Sequence, residues 1–376
     1  MKICKICIQP DTRPGIYFDE NGVCGACLWE DEKKKIDWDQ RSKELDEIVQ
    51  WAKNHSNGNY DCVIGVSGGK DSTKQAITAR DELDLKCLLV NCEPENITNI
   101  GRKNIENLKN LGFDVIALRP NPNIMKKLIT YDFFTHLNPI KATEFSLYSS
   151  TYIIAEKFKI PLLIQGETQV LTLGTSLISE GQVEDALNVD QNMNTLSKGW
   201  QEYLNEDTVK LGIKNNDLFM FHYNKENLKK LGVRGIWLQY YLKEWSYRGN
   251  AEFSKKYGLT VRENFNPEDI GTYVDFSALD SDLNQVNQML KCIKFGFGFC
   301  MDHACYDIRD GHITRNEAIN LVKNYDGKCS EEYIKKFCDY IEITLDEFWA
   351  TVEKFRGNMW KKAPDGSWRN TIWNLF

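Results

Sequence analysis

Residues 62–72 read CVIGVSGGKDS. An apolar run (Cys62, Val63, Ile64, Val66) ends in Ser67-Gly68-Gly69-Lys70-Asp71-Ser72, and a helix-compatible stretch follows from Thr73 to Glu82. A buried strand, a Gly-pair turn and a helix N-terminus make a phosphate cradle. The glycines let backbone N–H groups approach the oxygens, and the helix dipole favours negative charge. Lys70 adds a mobile positive charge, and Ser67 and Ser72 add hydroxyl donors. Asp71 would repel bare phosphate, so its presence implies Mg²⁺ as a bridge. The pattern is not a Walker A loop, and G-x-G-x-x-G is absent.

The loop resembles the PP-loop of ATP pyrophosphatases, which split ATP into AMP and pyrophosphate while adenylating a substrate oxygen. Working outward, strands at 61–66, 86–91, 114–118 and 161–165 alternate with helices at 73–82, 99–111 and 145–158. Apolar strands alternating with helices predict a parallel α/β sheet covered on both faces. Ligands in such sheets lie beyond the carboxyl ends of the strands. Three positions qualify: the loop after Val66, Asn91-Cys92-Glu93, and Gly166-Glu167-Thr168. Asn91 and Gly166 are therefore candidate nucleotide contacts. Glu167 is a candidate for holding Mg²⁺ or a cationic product, against the plainer reading of a solvated loop carboxylate.

Cys4-x-x-Cys7 and Cys24-x-x-Cys27 form two close pairs about one hairpin apart. Four thiolates at this spacing suit tetrahedral Zn²⁺ with no position left for catalysis. That predicts a small zinc ribbon over residues 1–29, a staple for a segment too short to bury a core. Two disulfides or a redox pair are the competing readings. Residues 30–56 read as a charged linker, Glu30 to Lys35, and a helix from Ser42 to Asn54.

The chain has 376 residues and a net charge of -7, with a pI near 5.5. This argues against a large basic nucleic-acid footprint. No apolar run approaches a membrane span, and Met1-Lys2-Ile3-Cys4 does not open a signal peptide. Twelve cysteines without an export signal point to a reducing cytoplasm.

Residues 57–230 are expected to form the nucleotide domain, with the polar, Asn-rich 170–230 stretch as an insertion beside the site. Residues 231–376 read as mainly helical, with helices expected at 235–247, 250–257, 281–294, 314–324, 330–341 and 344–355. Within them, FGFGFCMDHACYDIRDGH (295–312) reads as a polar site between glycine-rich and helical segments, against the plainer reading of a polar loop packed on the core. It gathers Asp302, His303, Asp307 and Arg309, a set suited to a carboxylate or hydroxyl groups. A second metal site at Cys300, His303 and Cys305 lacks an evident fourth ligand. Trp237, Tyr240, Tyr241, Trp245 and Tyr247 crowd one expected helix, as core packing or as a sugar platform.

Three stretches together resemble the N-acetyl sugar amidotransferase family: CKICIQPDTRPGIYFDENGVCGAC, VSGGKDST and KFGFGFCMDHACYDIRDGHITRNEAI. Cys300 departs from the family pattern. The resemblance implies an adenine-nucleotide α-hydrolase fold with an N-terminal zinc ribbon. It also implies acetamidino-sugar synthesis for lipopolysaccharide or flagellin glycans of the pseudaminic and legionaminic acid type. In this reading Lys70, Asp71, Glu167 and His303 are catalytic, and Ser67 to Ser72 with Asn91 and Gly166 bind ATP. Asp71 holds Mg²⁺, and Asp302, His303, Asp307 and Arg309 bind the sugar. The resemblance further implies a glutaminase- and cyclase-like partner as the ammonia source. Lys2 stands where an N-terminal glutaminase nucleophile would need Cys, and no G-x-C-x-G elbow is present. The rival is a PP-loop tRNA thiolase, kept open by Cys62, Cys87, Cys92, Cys300 and Cys305. A scaffold with a dead nucleotide fold is disfavoured by the intact Lys70, Asp71 and serines.

Overall fold

The structure, a computed structural model, describes residues 1–175, 185–188 and 194–376. The remainder of the expected 170–230 insertion lies outside the described residues. Helices α1 (Gly25–Lys33) and α2 (Trp38–His55) precede β1 (Cys62–Gly65) and α3 (Lys70–Ile77). Next come β2 (Cys87–Cys92), α4 (Asn99–Asn110), β3 (Asp114–Leu118), α5 (Pro122–His136), α6 (Lys141–Phe158) and β4 (Leu162–Gln165). Short helices α7 (Gln169–Leu173), α8 (Glu206–Lys210) and α9 (Lys225–Lys230) lead to β5 (Arg234–Trp237).

The five strands form one parallel sheet of order β3-β2-β1-β4-β5. Every residue of β2 and β4, and all of β1 except Gly65, is buried. Apolar sequence with no alternation is what two covered faces demand. The chain runs outward from β1 through β2 to β3, then returns to place β4 on the other side of β1. The order therefore reverses between β1 and β4, and a crevice opens there at the carboxyl ends of both strands. This is the parallel sheet expected of the adenine-nucleotide α-hydrolase type.

The rest is mainly helical: α10 (Leu238–Tyr241), α11 (Tyr247–Lys256), α12 (Pro267–Ile270), α13 (Leu283–Phe295), α14 (Phe299–Arg309), α15 (Arg315–Tyr325), α16 (Glu331–Ile341) and α17 (Leu345–Phe355). A hairpin, β6 (Trp360–Lys362) with β7 (Trp368–Asn370), follows. None of the helices among the described residues is long and apolar enough to cross a membrane.

Several expectations need correction. The aromatic stretch at 235–247 is not one helix. Ile236 pairs beside Ile164 in the sheet, and α11 begins only at Tyr247. The stretch 295–312, outside the expected helices, is largely the helix α14, whose polar side chains face partners or a cavity rather than solvent. The charge run from Glu30 is mostly the end of α1, laced by surface i,i+3 pairs such as Lys34–Asp31 at 2.7 Å. Helix α3 starts at Lys70 rather than Thr73, which puts Lys70 and Asp71 in its first turn.

The N-terminal segment carries only isolated bridges, Ile3–Pro10, Phe18–Cys24 and Ile16–Thr175, and its second cysteine knuckle runs directly into α1. All four cysteines are buried, and their sulfurs lie within 4.8 Å of one another. Cys4 and Cys27 are 3.8 Å apart, and Cys7 and Cys24 are 3.7 Å apart. A tetrahedron with metal–sulfur bonds of about 2.3 Å has edges of about 3.75 Å, so the donors fit Zn²⁺. The Gln9 and Cys24 amides donate to Cys7 and Cys4 sulfurs at 3.4 and 3.3 Å.

The module is docked tightly. Gly25 and Gly174 pack backbone to backbone, and a Cβ on Gly174, which has φ +67°, would lie 2.2 Å from the Ala26 nitrogen. The cysteines share an apolar cluster with Phe297, Met301, Ala304, Val322 and Ile372 from the C-terminal region. The purified chain is expected to hold about one Zn²⁺, as four thiolates on one ion require. Cys24→Ser should lose the ion and expose residues 1–33 to protease. Metal analysis with limited proteolysis checks this, and a zinc-free wild type with a protected segment would contradict it.

Candidate active site

The loop leaving β1 turns at Gly68, φ +78°, where a Cβ would meet the Asn104 Cβ at 3.0 Å and the Gly101 carbonyl at 3.3 Å. Both the dihedral and the space require glycine. Gly69 then caps α3 without a side chain, leaving the first amides of the helix free for an anion. Ser72 donates to the Gly69 carbonyl at 3.2 Å and steadies the turn. Asn91 stands near the carboxyl end of β2. Its side chain is buried and donates to the Val66 carbonyl at 2.8 Å, tying the end of β2 under the loop.

A crevice of about 180 Å³ sits at the β1/β4 switch point, lined in part by Ser67, Asp71, Ser72, Gly166, Glu167 and Trp237. A larger cavity of about 390 Å³ lies beyond it. Lys70, Asp71, Glu167, Asp302 and His303 line the larger one, together with Arg13, Glu144, Tyr247, Lys291, Lys294 and Phe297. Asp71 and Glu167 line both spaces. The two carboxylates therefore stand at the junction.

Their electrostatics mark them as a pair. Burial pushes the Glu167 carboxyl up to about 7, and the neighbouring Asp71 charge adds to the rise while Lys70 opposes it. A divalent cation between two such carboxylates would relieve this cost, so the donor set fits Mg²⁺. Lys70, only 5% exposed, forms an ion pair with Asp71 and lies 4.1 Å from the Tyr247 ring centroid.

Helix α11 holds this constellation along one face. Its residues Tyr247, Asn250 and Ser254 recur at helical spacing. Asn250 donates to Asp71 Oδ1 at 2.8 Å, and Ser254 donates to the Lys70 carbonyl at 2.6 Å. Sequence reasoning missed Asn250 and Ser254. The available signal was Ser246 as an N-cap, which accepts from the Gly249 amide at 3.1 Å and starts the helix one residue later.

Helix α14 supplies the opposite wall. His303 is buried, with Tyr247 Oη 2.6 Å from Nε2 and Thr272 Oγ1 2.5 Å from Nδ1. A neutral imidazole offers one N–H and one lone pair, so one hydroxyl accepts and the other donates. Neither nitrogen is left to receive a proton from an incoming nucleophile in this arrangement. Asp302 is ion-paired with Arg13 and, at 2.7 Å, with Lys291. Burial raises its carboxyl, and these two cations outweigh that, leaving it below its ordinary value.

Two expected sugar contacts lie elsewhere. Asp307 is fully buried and held by Arg248 at 2.6 and 2.5 Å and by the Tyr273 hydroxyl at 2.6 Å. It lines neither cavity. Arg309 donates to the Thr172 carbonyl at 3.2 Å and lines a side pocket of about 40 Å³ instead. Burial disfavours its charge, but the Cys7, Cys305 and Cys27 sulfurs more than compensate and raise its pKa. Arg309 is therefore committed to the α7 carbonyl and the Tyr306 ring rather than to either cavity.

Burial holds the pKa of His303 well below 6.5; the Asp302 charge opposes this only in part, and nearby Lys291 adds to the lowering. A depressed histidine stabilises the fold above its unfolded pKa and loses that contribution as pH falls toward the folded value. His303 should thus remain neutral at pH 6.5, where an ordinary histidine is half protonated. Imidazole NMR titration against a His303→Gln control checks this, and a His303 midpoint near 6.5 would contradict it.

Residues 270–374 match the family described as LPS biosynthesis protein WbpG-like, C-terminal domain. A comparison with curated proteins finds no match. Among solved structures, an NMN synthetase from Francisella tularensis aligns at 16% identity and a TM-score of 0.28, over 61% of this chain and 100% of that one. An NH3-dependent NAD synthetase from Campylobacter jejuni subsp. jejuni NCTC 11168, in complex with the nitrate ion, aligns at 12% identity and 0.28, with the same coverage. Superpositions this loose transfer nothing to the present site. Over residues 270–374, which supply Lys291, Lys294, Phe297, Asp302 and His303 to the larger cavity, the chain is similar to the C-terminal domain of WbpG-like lipopolysaccharide-biosynthesis proteins.

Proposed function

We propose that the chain is an ATP-dependent amidotransferase that converts the acetamido group of a sugar into an acetamidino group. One observation carries the reading: Asp71 and Glu167 stand where a phosphate-cradling crevice meets a cavity large enough for a sugar. Reaction across that junction joins a nucleotide to a second substrate. The WbpG-like match over residues 270–374 supports a sugar destined for a surface polysaccharide.

An amide carbonyl is a poor electrophile because its nitrogen donates into it. In the proposed reaction the acetamido oxygen bonds to the α-phosphorus of ATP, and the bond from that phosphorus to the bridging oxygen breaks. Pyrophosphate departs into the loop formed by Ser67, Gly68 and Gly69. Lys70, in the first turn of α3, faces the charge that grows on that leaving group. Bound Mg²⁺ would supply further positive charge to the phosphates. Ammonia then adds to the activated carbon, the carbon–oxygen bond breaks, and AMP leaves with the former acetamido oxygen. Glu167, with its pKa near 7, is suited to accept the proton that the attacking nitrogen releases and to face the cationic amidinium. His303 and Tyr247 orient the wall against which the sugar sits.

The thiolase reading loses ground on one point. Among the described residues, no cysteine lines either cavity. Cys62 and Cys300 are buried with thiol pKa values raised by burial, and burial pushes Cys92 up to about 12. A sulfur carrier needs an exposed, low-pKa thiolate. We place the ammonia source in a separate glutaminase-type partner, because no nucleophile elbow is present in the sequence.

Incubated with ATP, Mg²⁺, ammonium and an N-acetyl sugar acid, the chain should release AMP and pyrophosphate. The sugar mass should fall by about one unit as O is exchanged for NH, the balance for one activated leaving oxygen. Sulfur incorporation, or turnover only on RNA, would move the assignment to a thiolase. Lys70→Ala should lower the rate by roughly 10²–10³-fold, the scale for losing one transition-state charge contact. Pyrophosphate release measured on the folded variant checks this, and near wild-type turnover would refute the loop's role.

A further inference from the structure

The lining of the larger cavity contains two chemically different groups of side chains. One is the Asp71 and Glu167 junction. In the other, Arg13 arrives from the four-cysteine module, and Lys291 and Lys294 lie three residues apart on α13, on one face of that helix. The Phe297 ring carries two of these cations, with Arg13 4.3 Å and Lys291 5.4 Å from its centroid. Asp302 is the carboxylate ion-paired to this wall, shared between Arg13 and Lys291. Lys294 has no ion pair among the described residues and donates to the His136 carbonyl. Arg13 is 8% exposed, yet its Nε has no hydrogen-bond partner. Glu144 also lines the cavity, and burial pushes it up to about 7, so near neutral pH it carries less than a full charge.

Beside Phe297, then, three basic side chains, of which burial lowers the pKa of Lys294, face Asp302 as the ionised carboxylate and Glu144 as a partly protonated one; Asp71 and Glu167 stand at the junction. A buried donor without a partner, beside a surplus of positive charge, costs free energy until an anion arrives. The geometry points to an oxyanion subsite formed by Arg13, Lys291 and Lys294, which takes a second, anionic group of the substrate. This rests on the proposed reading of the cavity as the sugar site. The ligand is a carboxylate or phosphate oxyanion, held while the acetamido group sits beside Asp71 and Glu167. Arginine and lysine are suited to either chemistry. The role that sequence placed on Arg309 falls instead to residues on a different helix and in the cysteine module.

The subsite also ties substrate binding to metal loading. Arg13 lies six residues after Cys7, and its Nη2 donates to Gln9 Oε1 at 3.1 Å. An anion that holds Arg13 in place therefore holds the loop that carries the thiolates. By linkage, an anion that binds better to the metal-loaded module must slow or oppose metal loss.

Calorimetry on the zinc-loaded full chain, without ATP, tests the subsite with three probes. These are N-acetylneuraminate (a carboxylate), UDP-N-acetylglucosamine (a diphosphate) and N-acetylglucosamine (neutral). At least one anionic probe is expected to bind roughly tenfold or more tighter than the neutral one, the scale of a charge-assisted contact. The preferred anion identifies the source of the oxyanion. Lys294→Gln should shrink that preference, and because it lies outside the cysteine module it keeps the test independent of zinc. The preferred probe should also slow zinc transfer to a chromogenic chelator in the wild type but not in Arg13→Gln. Equal binding of all three probes, binding of none, a preference unchanged by Lys294→Gln, or zinc release indifferent to the anion would overturn the subsite. No turnover is read, so failure of the amidotransferase reaction would leave these results intact.

Discussion

Strand β1 is hydrogen-bonded on both sides, to β2 and to β4, and all three run parallel. Parallel pairing leaves the carboxyl ends of the strands together at one edge, with backbone groups that must find partners elsewhere. The loop after Val66 meets this constraint by turning sharply at Gly68 and entering α3, so its free amides face outward at the switch point. The rest of the site depends on that geometry. Asp71 projects from the first turn of α3, and Glu167 follows the end of β4 on the far side of the same crevice. The two carboxylates meet because the strands that precede them are neighbours.

What surrounds the junction is a set of fixed partners. Helix α11 steadies Lys70 and Asp71 from one side, through Ser254 and Asn250, and reaches His303 through Tyr247. Helix α14 carries His303 and Asp302 toward the cavity and Cys305 toward the cysteine cluster. Its polar residues are paired almost throughout, as burial requires. One helix therefore joins the four-cysteine module to a wall of the larger cavity, and Arg13 returns the connection from the module's own loop. The four-cysteine module and a wall of the candidate site are here parts of one packing unit.

The charges are distributed in a consistent way. The crevice beside the β1 loop has free amides, hydroxyls and one lysine, suited to phosphates. The junction has paired carboxylates, suited to a cation. The lining of the larger cavity also has Arg13, Lys291 and Lys294. A substrate lying across the cavity would meet fields of both signs, and such a pattern selects orientation more than raw affinity.

Much of this was legible in the sequence because it rests on local rules. The run CVIGVSGGKDS specifies a buried strand, a glycine turn and a helix start within eleven residues. The two C-x-x-C knuckles carry their own ligand spacing, and helices α15 and α17 announce themselves by Thr-x-x-Glu capping boxes. Other features depend on partners far along the chain. Strand β5 is four residues followed at once by a helical turn, and only its pairing with β4 makes it a strand. Helix α14 reads as a polar site between glycine-rich and helical segments because sequence does not show its partners; Arg13, Arg248 and Lys291 satisfy its carboxylates inside. Arg309 and Lys294 show the same limit: both are cations on helices, and sequence carries no sign of which one will line the larger cavity and which will bind the Thr172 carbonyl outside it. Local propensity and spacing determined the strand, the loop and the knuckles, while tertiary packing decided which charges were already paired and so which remain to meet a substrate.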